Sequence, residues 1–396
     1  MARRDVVWRA FLGSRLLVLV AAIAGAELVS YGIGSHGPDP HPFASWPLGD
    51  ALDFVVGPFL RWDAHYYLGI ATDGYRPHVE ALRGARAFFP AYPLLVRALG
   101  GFASSGAAAL AAIAISLGTF AAGLRLLHRL TTIELGARVA DATVVLLAFA
   151  PVAFFFSAPY TESLFLLLSA GAFLAARSGR WALAGAAAGL ASGTRPTGAL
   201  LILPLAILYV YGPRADRPAP GRHPIRPDIL WLALAPAGVV AYSLYLRHAV
   251  GDALAWQHIQ PLFGRRSFEW PTETLRRTAV AAFHAVKGDG PSAYRGPILL
   301  ETAWLPLVVA GIVGAFRRLP FAYGAYALTA LVLAIASPAY IEPLRSLPRL
   351  MLPVFPIVMW LAAWTEERRI TRPAVVVSAV LLAVLTAEFA SWHAYV

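Results

Sequence analysis

Long apolar runs recur along the whole chain and constrain its fold more than any other feature. They occupy about residues 10–33, 105–127, 139–157, 161–176, 181–194, 197–211, 229–249, 297–316, 320–337, 349–364 and 373–394. A helix needs roughly 20 apolar residues to cross a bilayer, and it satisfies its own backbone hydrogen bonds in hydrocarbon. The sequence therefore predicts an all-α polytopic membrane protein with about eleven transmembrane helices.

The composition favours the same class. Hydrophobic residues make up 58% of the 396 residues and charged residues only 14%, whereas about 25% of the residues in a soluble domain are charged. The formal net charge of +11 would also suit a nucleic-acid-binding protein. However, the basic residues lie in clusters between apolar runs and not on one soluble face. We therefore expect membrane lipids as partners and no nucleic acid.

Arginine clusters predict the orientation of the helices, because short loops rich in arginine stay in the cytoplasm. Arg3, Arg4 and Arg9 place the N-terminus in the cytoplasm. We expect an uncleaved first helix and a multi-pass protein of the plasma membrane. Counting crossings from there puts the other short clusters on the same side. These are Arg129 with Arg138, Arg177 with Arg180, Arg214 with Arg217, Arg222 and Arg226, Arg317 with Arg318, and Arg368 with Arg369 and Arg372. The count requires 181–211 to be two short helices, broken at 193–196.

This topology predicts one membrane domain over 1–396, with its unusual polar residues on the outer side. Residues 34–104 form a first extracytoplasmic loop, with short membrane-parallel helices, and 250–296 form a second. Residues 212–227, rich in proline and arginine, form a cytoplasmic linker. Shorter outer segments lie near 157–161, 194–196 and 338–348. Such convergence indicates a single extracytoplasmic site.

Asp63 is the candidate catalytic residue. It lies in the segment Arg-Trp-Asp-Ala-His-Tyr-Tyr-Leu-Gly-Ile-Ala-Thr-Asp-Gly-Tyr, residues 61–75. One interpretation is structural, with Asp63 as the N-cap of a helix over 64–73 that ends at Gly74. The other is catalytic, because a carboxylate at a membrane surface suits a general base and the aromatic neighbours suit a sugar. Both interpretations are compatible with the segment.

His65, Tyr66 and Tyr92 are candidate substrate contacts in the same loop. His65 lies two residues from Asp63, so the two side chains point to different faces of a helix and do not form a dyad. His65 then either packs at the interface or contacts a ligand. Tyr92 lies in Phe-Phe-Pro-Ala-Tyr-Pro-Leu-Leu-Val-Arg, 88–97. That segment is either an interfacial aromatic belt or a surface helix that shapes a pocket for a lipid carrier.

The first loop contains four histidines, His36, His41, His65 and His78. Their spacing matches no common metal site, and the chain has no cysteine that could supply a thiolate ligand. We therefore expect no bound cofactor, while a divalent ion near the candidate base stays an open alternative.

Two further outer segments carry candidate substrate-binding residues. Tyr160 and Glu162 lie in Ser-Ala-Pro-Tyr-Thr-Glu-Ser, 157–163. Thr161 or Ser157 would cap the next helix, but an acid at the start of a bilayer helix indicates function. Arg195, in Gly-Thr-Arg-Pro-Thr-Gly, either reaches the membrane surface or faces a cavity, where its fork of donors suits a phosphate.

Four more arginines complete the set: Arg265, Arg266, Arg345 and Arg349. They either bind lipid headgroups or hold a phosphate leaving group.

Five segments in one order resemble the PIG-V family, the second mannosyltransferase of GPI-anchor assembly and its bacterial relatives. They are Arg-Trp-Asp-Ala-His-Tyr-Tyr…Gly-Tyr (61–75), Phe-Phe-Pro-Ala-Tyr-Pro-Leu (88–94), Pro-Tyr-Thr-Glu-Ser-Leu-Phe (159–165), Ser-Gly-Thr-Arg-Pro-Thr-Gly (192–198) and Ser-Leu-Pro-Arg-Leu-Met-Leu-Pro-Val-Phe-Pro (346–356). The eukaryotic members carry an Arg-Ser-Asn-Gly-like motif where this chain has Arg-Pro-Thr-Gly, 195–198. This departure leaves the acceptor open.

The resemblance implies a GT-C glycosyltransferase fold and an inverting transfer of a sugar, mannose first, from a polyprenyl-phosphate donor to a lipid or glycan acceptor. In that class an acidic residue of the first extracytoplasmic loop is essential, and it corresponds to Asp63. The implied reaction needs a base for the acceptor hydroxyl and cations for the leaving phosphate. The alternatives are a lipid or solute transporter, which would predict pseudo-symmetric halves, and a non-catalytic subunit of a membrane assembly.

Overall fold

The structure, a computed structural model, describes residues 2–29, 49–76, 80–101, 104–215, 221–263, 266–289 and 292–393. Over these ranges the chain is helical, and one isolated β-bridge joins Arg266 to Ala339. The α-helices are α1 (Ala2–Leu28), α2 (Asp50–Val56), α3 (Ala64–Asp73), α4 (Ala91–Val96), α5 (Ser105–Leu135), α6 (Ala137–Ala148), α7 (Glu162–Arg177), α8 (Trp181–Ser192), α9 (Ile202–Tyr211), α10 (Ala237–Val250), α11 (Ala255–His258), α12 (Gln260–Phe263), α13 (Pro271–Lys287), α14 (Ser292–Arg318), α15 (Phe321–Ile335), α16 (Leu347–Met351), α17 (Phe355–Glu367) and α18 (Thr371–Ala390).

Every predicted apolar run contains one of these helices, so the all-α class is confirmed. By length and composition, four of the described helices can cross a membrane alone: Val6–Leu28, Ser105–Leu135, Tyr294–Arg318 and Thr371–Ala390. A fifth crossing is formed if the 3₁₀ helix Pro227–Leu234 and α10, which meet at 46°, are taken as one bent span. The other apolar runs form shorter helices. The total of about eleven crossings therefore stays a prediction.

The predicted break between two short helices is confirmed. Helix α8 ends at Ser192, and a 3₁₀ helix over Pro196–Leu201 leads into α9. Arg195 between them is extended, with φ −163° and ψ 151°. The turn depends on close backbone contact, because a Cβ at Gly198 would lie 2.2 Å from the Ser192 nitrogen. The break lets the Arg195 side chain leave the helical bundle toward neighbouring elements.

Helices α5, α7 and α18 contact the segment that joins α6 to α7. Arg15 of α1 fixes this segment: its Nη1 donates to the Ala153 carbonyl (2.9 Å) and to the Ser157 hydroxyl (2.7 Å). Phe120 of α5 stacks on Phe156, with the ring centroids 4.2 Å apart. The segment that ends in Tyr160, Thr161 and Glu162 is therefore held rigidly at the end of the bundle.

Candidate active site

Asp63 lies where the sequence predicts a helix to begin, but its carboxylate does not cap that helix. Helix α3 runs over Ala64–Asp73, and Gly74 ends it with φ 74°, as the sequence predicts. Asp63 occupies the N-cap position without a side-chain cap hydrogen bond. Its Oδ2 instead accepts a hydrogen bond from Arg349 Nη1 at 2.6 Å. The capping interpretation is wrong, because the carboxylate is turned toward a guanidinium on another element.

Asp63 is one end of a network of four alternating charges. Glu162 Oε1 accepts from Arg349 Nε at 2.7 Å and from Arg195 Nη2 at 2.7 Å. The Glu162 side chain is fully buried, and those of Arg195 and Arg349 are 12% and 14% exposed. The Asp63 side chain, at 32%, is the most exposed of the four. Two cations balance two anions, as buried charges require, and the accessible member is the candidate base.

Tyr160 and Thr161 support this network from beneath. The Tyr160 hydroxyl donates to the Arg61 carbonyl (3.0 Å) and accepts from the Asp63 backbone N–H (3.0 Å). The Arg349 guanidinium lies 4.5 Å from the centre of the Tyr160 ring, a cation–π distance. The Thr161 hydroxyl accepts from Arg195 Nη2 at 2.7 Å. Thr161 therefore does not cap α7, since its hydroxyl binds the arginine.

Local backbone geometry turns both ends of the Asp63–Arg349 ion pair. Trp62, directly before Asp63, has φ 57°, and Ser346, three residues before Arg349, has φ 66°. Non-glycine residues avoid this left-handed region, and such exceptions persist only where the surrounding structure holds them. The Trp62 ring packs against Trp392, with the ring centroids 5.2 Å apart. A left-handed residue thus comes shortly before each partner of the ion pair and sets the direction in which the chain enters it.

The network opens into a cavity of about 910 Å³. Five of the predicted site residues lie on its wall: Asp63, Tyr160, Arg195, Arg345 and Arg349. Arg345 is 46% exposed, with its Nε 3.8 Å from Glu342 Oε2. One part of the wall is apolar and includes Phe268, Leu333, Leu350 and Val354. The cavity thus places a charged end beside a hydrocarbon surface.

The other predicted contacts lie behind this wall or outside the described residues. In the part of the chain that the structure describes, His65, Tyr66, Tyr92 and Glu162 do not line the cavity, and Arg265 lies outside that part. The His65 ring stacks on Trp392 at 6.0 Å, and the Tyr66 ring stacks on Phe88 at 4.6 Å. These rings pack, and Glu162 can act only through the arginines that it binds.

Tyr92 is completely buried in the bundle. Its hydroxyl donates to the Ala112 carbonyl at 2.9 Å and lies 2.8 Å from the Ser116 hydroxyl. The Ser116 hydroxyl itself donates to the Ala158 carbonyl at 2.8 Å, so the Tyr92 hydroxyl is bound within a buried chain of hydrogen bonds. Tyr92 therefore packs against α5 and does not line the cavity.

Arg266 and Tyr67, two further residues of the outer segments considered in the sequence analysis, also lie on the cavity wall. Arg266 Nη1 donates to the Ser337 carbonyl (2.9 Å) and Nη2 to the Arg345 carbonyl (2.7 Å). Burial lowers the pKa of Arg266 to about 10, so it stays charged at neutral pH. Burial raises the pKa of Tyr67 to about 12, so its hydroxyl stays protonated. Tyr67 lies on the cavity wall although its neighbour Tyr66 packs on Phe88, because adjacent residues of a helix face different directions.

Within the described ranges, no group of three or more histidine, aspartate or glutamate side chains has the geometry to hold a metal ion.

Comparison with known proteins finds similarity in the part of the chain that carries three members of the network. Residues 44–201 match the family described as mannosyltransferase (PIG-V). The GPI alpha-1,6-mannosyltransferase 2 of Cricetulus griseus is 30% identical over 168 residues, which are 40% of this chain and 33% of that protein. The chain thus spans about a third of the length of this curated relative.

The chain is also similar to a crystal structure of the Archaeoglobus fulgidus oligosaccharyltransferase, tethered with an acceptor peptide through a disulfide bond. The alignment covers 98% of this chain and 55% of the oligosaccharyltransferase chain. The TM-score is 0.45 and the sequence identity 13%. The predicted resemblance to the PIG-V mannosyltransferase family is confirmed over residues 44–201, the segment that contains Asp63, Glu162 and Arg195.

Proposed function

We propose that the chain is an inverting glycosyltransferase of the GT-C class. It moves mannose from a polyprenyl-phosphate donor to a hydroxyl of a lipid-linked or glycan acceptor, on the extracytoplasmic side of the plasma membrane. The observation that carries the proposal is the contact of Asp63 with Arg349 on the wall of the cavity. A base for the acceptor and a cation for the donor phosphate are thereby adjacent.

The charge on the cavity wall favours an anionic donor. Among the described residues that line it, four are arginines, Arg195, Arg266, Arg345 and Arg349, and one is a carboxylate, Asp63. Planar guanidinium groups suit phosphate oxygens. The apolar wall beside them, with Leu333, Leu350 and Val354, suits the first isoprene units of a lipid tail. A polyprenyl-phosphate sugar combines these two properties in one molecule.

Asp63 is the general base of the proposed reaction. Arg349 occupies its Oδ2, and its other oxygen is the one that accepts the proton of the acceptor hydroxyl. The acceptor oxygen forms a bond to the anomeric carbon while the bond from that carbon to the phosphate oxygen breaks. The electron pair leaves with the lipid phosphate, and one displacement inverts the anomeric configuration. No general acid is needed, because the leaving phosphate is already a stable anion.

The arginines stabilise the leaving group. Within the described chain, Arg349 Nη2 and Arg195 Nη1 make no hydrogen bond, while the other nitrogens of both groups hold the network together. These two donor groups are the ones available for the phosphate oxygens. Donors that are fixed before the reaction stabilise developing charge at little reorganisation cost. Glu162 is the anchor that fixes both guanidinium groups.

The test is reconstitution of the full chain in lipid nanodiscs with a panel of polyprenyl-phosphate sugars and with glycan and glycolipid acceptors. The expected result is mannose transfer with inversion at C1, read by NMR of the isolated product. Transfer from a nucleotide sugar alone, or retention at C1, would overturn the mechanism. Movement of labelled lipid across a proteoliposome membrane without any transfer would support the transporter instead.

A further inference from the structure

Glu301 is a nearly completely buried carboxylate that the proposed reaction does not use. It lies in α14, where it is 2% exposed. Its Oε1 accepts a hydrogen bond of 2.7 Å from the backbone N–H of Ser346. Within the described chain, its Oε2 has no hydrogen-bond partner. An acid in an apolar helix is costly. The hydrogen bond to Ser346 therefore indicates what the Glu301 carboxylate does.

Ser346 determines the direction in which the chain enters α16. Its backbone is left-handed, with φ 66° and ψ 15°, and it occupies the N-cap position of Leu347–Met351. Arg349 lies in the single helical turn that follows. A serine does not favour this conformation, so it persists only where the surrounding structure holds it. The hydrogen bond from the Ser346 N–H to the Glu301 carboxylate is one such contact.

The segment before Ser346 is also bound by residues of the second outer loop. We call residues 336–346 the strap. Arg266 donates to the strap carbonyl of Ser337 at 2.9 Å, and Arg277 donates to that of Tyr340 at 2.6 Å. These two arginines hold exposed and half-buried carbonyls of the strap. Glu301 holds its last residue from inside the bundle, closest in the chain to Arg349.

We propose that Glu301 is a positioning residue: by binding the Ser346 N–H it sets the left-handed turn that aims Arg349 at Asp63 and Glu162. The catalytic consequence rests on the proposed glycosyl transfer. The turn itself is a structural statement and can be tested without any substrate. Glutamine at this position keeps a side-chain oxygen for the Ser346 N–H, whereas leucine of similar size removes it. The two substitutions therefore separate the hydrogen bond from the mere filling of space.

The first experiment measures hydrogen exchange of the full chain in nanodiscs, by mass spectrometry of peptides that cover the strap and α16. Glu301→Leu is expected to speed exchange at the Ser346 amide, and Glu301→Gln is expected to leave it protected. Glu134→Leu is the matched control. Glu134 is a 5% exposed carboxylate at the C-terminal end of α5, where it binds Arg177. Its loss is expected to leave exchange in the strap unchanged.

The second experiment measures kinetics with polyprenyl-phosphate mannose as the donor. A small misplacement of a catalytic group costs about 10²-fold in rate. Glu301→Leu is therefore expected to lower kcat about 10²-fold, and Glu301→Gln to retain most of it. In an Arg349→Lys background the further effect of Glu301→Leu is expected to be small, because the group that it positions is already altered. A merely structural loss would instead lower both backgrounds equally.

The outcomes separate this proposal from the proposed function. Unchanged strap exchange in Glu301→Leu overturns the positioning role, whatever the activity. Faster exchange together with wild-type kcat, or additive effects with Arg349→Lys, also overturns it. If the wild type transfers no sugar from any donor, the proposed function fails. The exchange data then still decide whether Glu301 holds the turn before Arg349.

Discussion

Arg349 Nη1 donates to Asp63 Oδ2 across 2.6 Å, although the two residues lie 286 positions apart in the chain. The same guanidinium also holds Glu162, through Nε at 2.7 Å. The candidate base and the candidate phosphate ligand therefore share one ion pair. In the proposed mechanism, a donor phosphate that engages Arg349 would compete with Asp63 for its charge, so donor binding would be coupled to activation of the base.

Replacement of Asp63 by asparagine is expected to abolish most of the transfer while the protein folds normally. Asparagine keeps an oxygen for Arg349 but cannot take the acceptor proton, and general-base catalysis contributes about 10²- to 10⁴-fold in rate. Initial rates of transfer with saturating donor measure the effect. Asp73→Asn is the matched control, because Asp73 ends the same helix, is 52% exposed and pairs with Arg76. Full activity in Asp63→Asn would exclude this residue as the base.

Replacement of Glu162 by glutamine is expected to destabilise the protein as well as inactivate it. The change leaves two guanidinium groups, those of Arg195 and Arg349, beside the single carboxylate of Asp63. Breaking a buried ion pair costs about 3–5 kcal/mol, and thermal unfolding in detergent measures it. Glu273→Gln, which removes an exposed partner of Arg276, is expected to lower the stability far less, because exposed ion pairs contribute little. A Glu162 variant as stable as wild type would show that the network carries no stability.

Replacement of Arg345 by glutamine is expected to weaken donor binding and to leave the chemical step nearly intact. Arg345 lies on the cavity wall, half-exposed, outside the four-charge network. Loss of one charge-assisted hydrogen bond of about 1.5 kcal/mol raises the donor KM about tenfold. The control is Arg76→Gln, a 52% exposed arginine outside the cavity wall. A fall in kcat without a change in KM would move Arg345 into the reaction itself.

The pH dependence of stability is expected to differ between wild type and Glu342→Gln. Burial raises the pKa of Glu342, against the nearby charges of Arg345 and Arg266. Its contribution to stability is therefore fully present below the unfolded-state pKa, about 4.3. That contribution is lost as the pH rises through the higher folded-state pKa. Glutamine does not titrate, so the variant should gain stability relative to wild type as the pH rises above the unfolded-state value of about 4.3 toward neutral.

Unfolding midpoints across this range measure the difference. Glu273→Gln is the control of opposite sign, because a hydrogen bond from Arg276 lowers the pKa of Glu273. A parallel pH profile for wild type and Glu342→Gln would contradict the effect of burial.

Two kinds of sequence signal explain what could be predicted. Apolar runs located the helices, because their length and composition alone determine whether they are helical in lipid. Asp63 stood out by its aromatic neighbours, Glu162 because an acid at the start of a bilayer helix indicates function, and Arg195 because it lies at a predicted helix break. The pairing of Asp63 with Arg349 was not predictable, since it depends on how helices far apart in sequence pack. Glu301 was overlooked because it lies within the run 297–316 and was counted with its apolar neighbours.

The capping error has a physical origin. An aspartate before a helix satisfies the rule for an N-cap, whether or not its carboxylate turns back to the backbone amides. At Asp63 a guanidinium from α16 offers a charged partner in place of a neutral N–H, and charge-assisted hydrogen bonds are the stronger ones. Thr161 shows the same competition, because its hydroxyl accepts from Arg195 and not from α7. The N-cap rule considers only neighbouring residues, so it fails where a guanidinium from a distant part of the chain competes for the capping oxygen.

The predicted topology has a direct test, since the chain contains no cysteine. Ser267→Cys places one thiol at the exposed rim of the cavity, and Arg372→Cys places one near the start of α18. A membrane-impermeant maleimide added to intact cells is expected to label the first variant, and the second only after permeabilisation. The arginine clusters give this orientation, because they hold basic loops in the cytoplasm. Labelling of Ser267→Cys only after permeabilisation would put the Asp63–Arg349 pair on the cytoplasmic side and exclude an extracytoplasmic reaction.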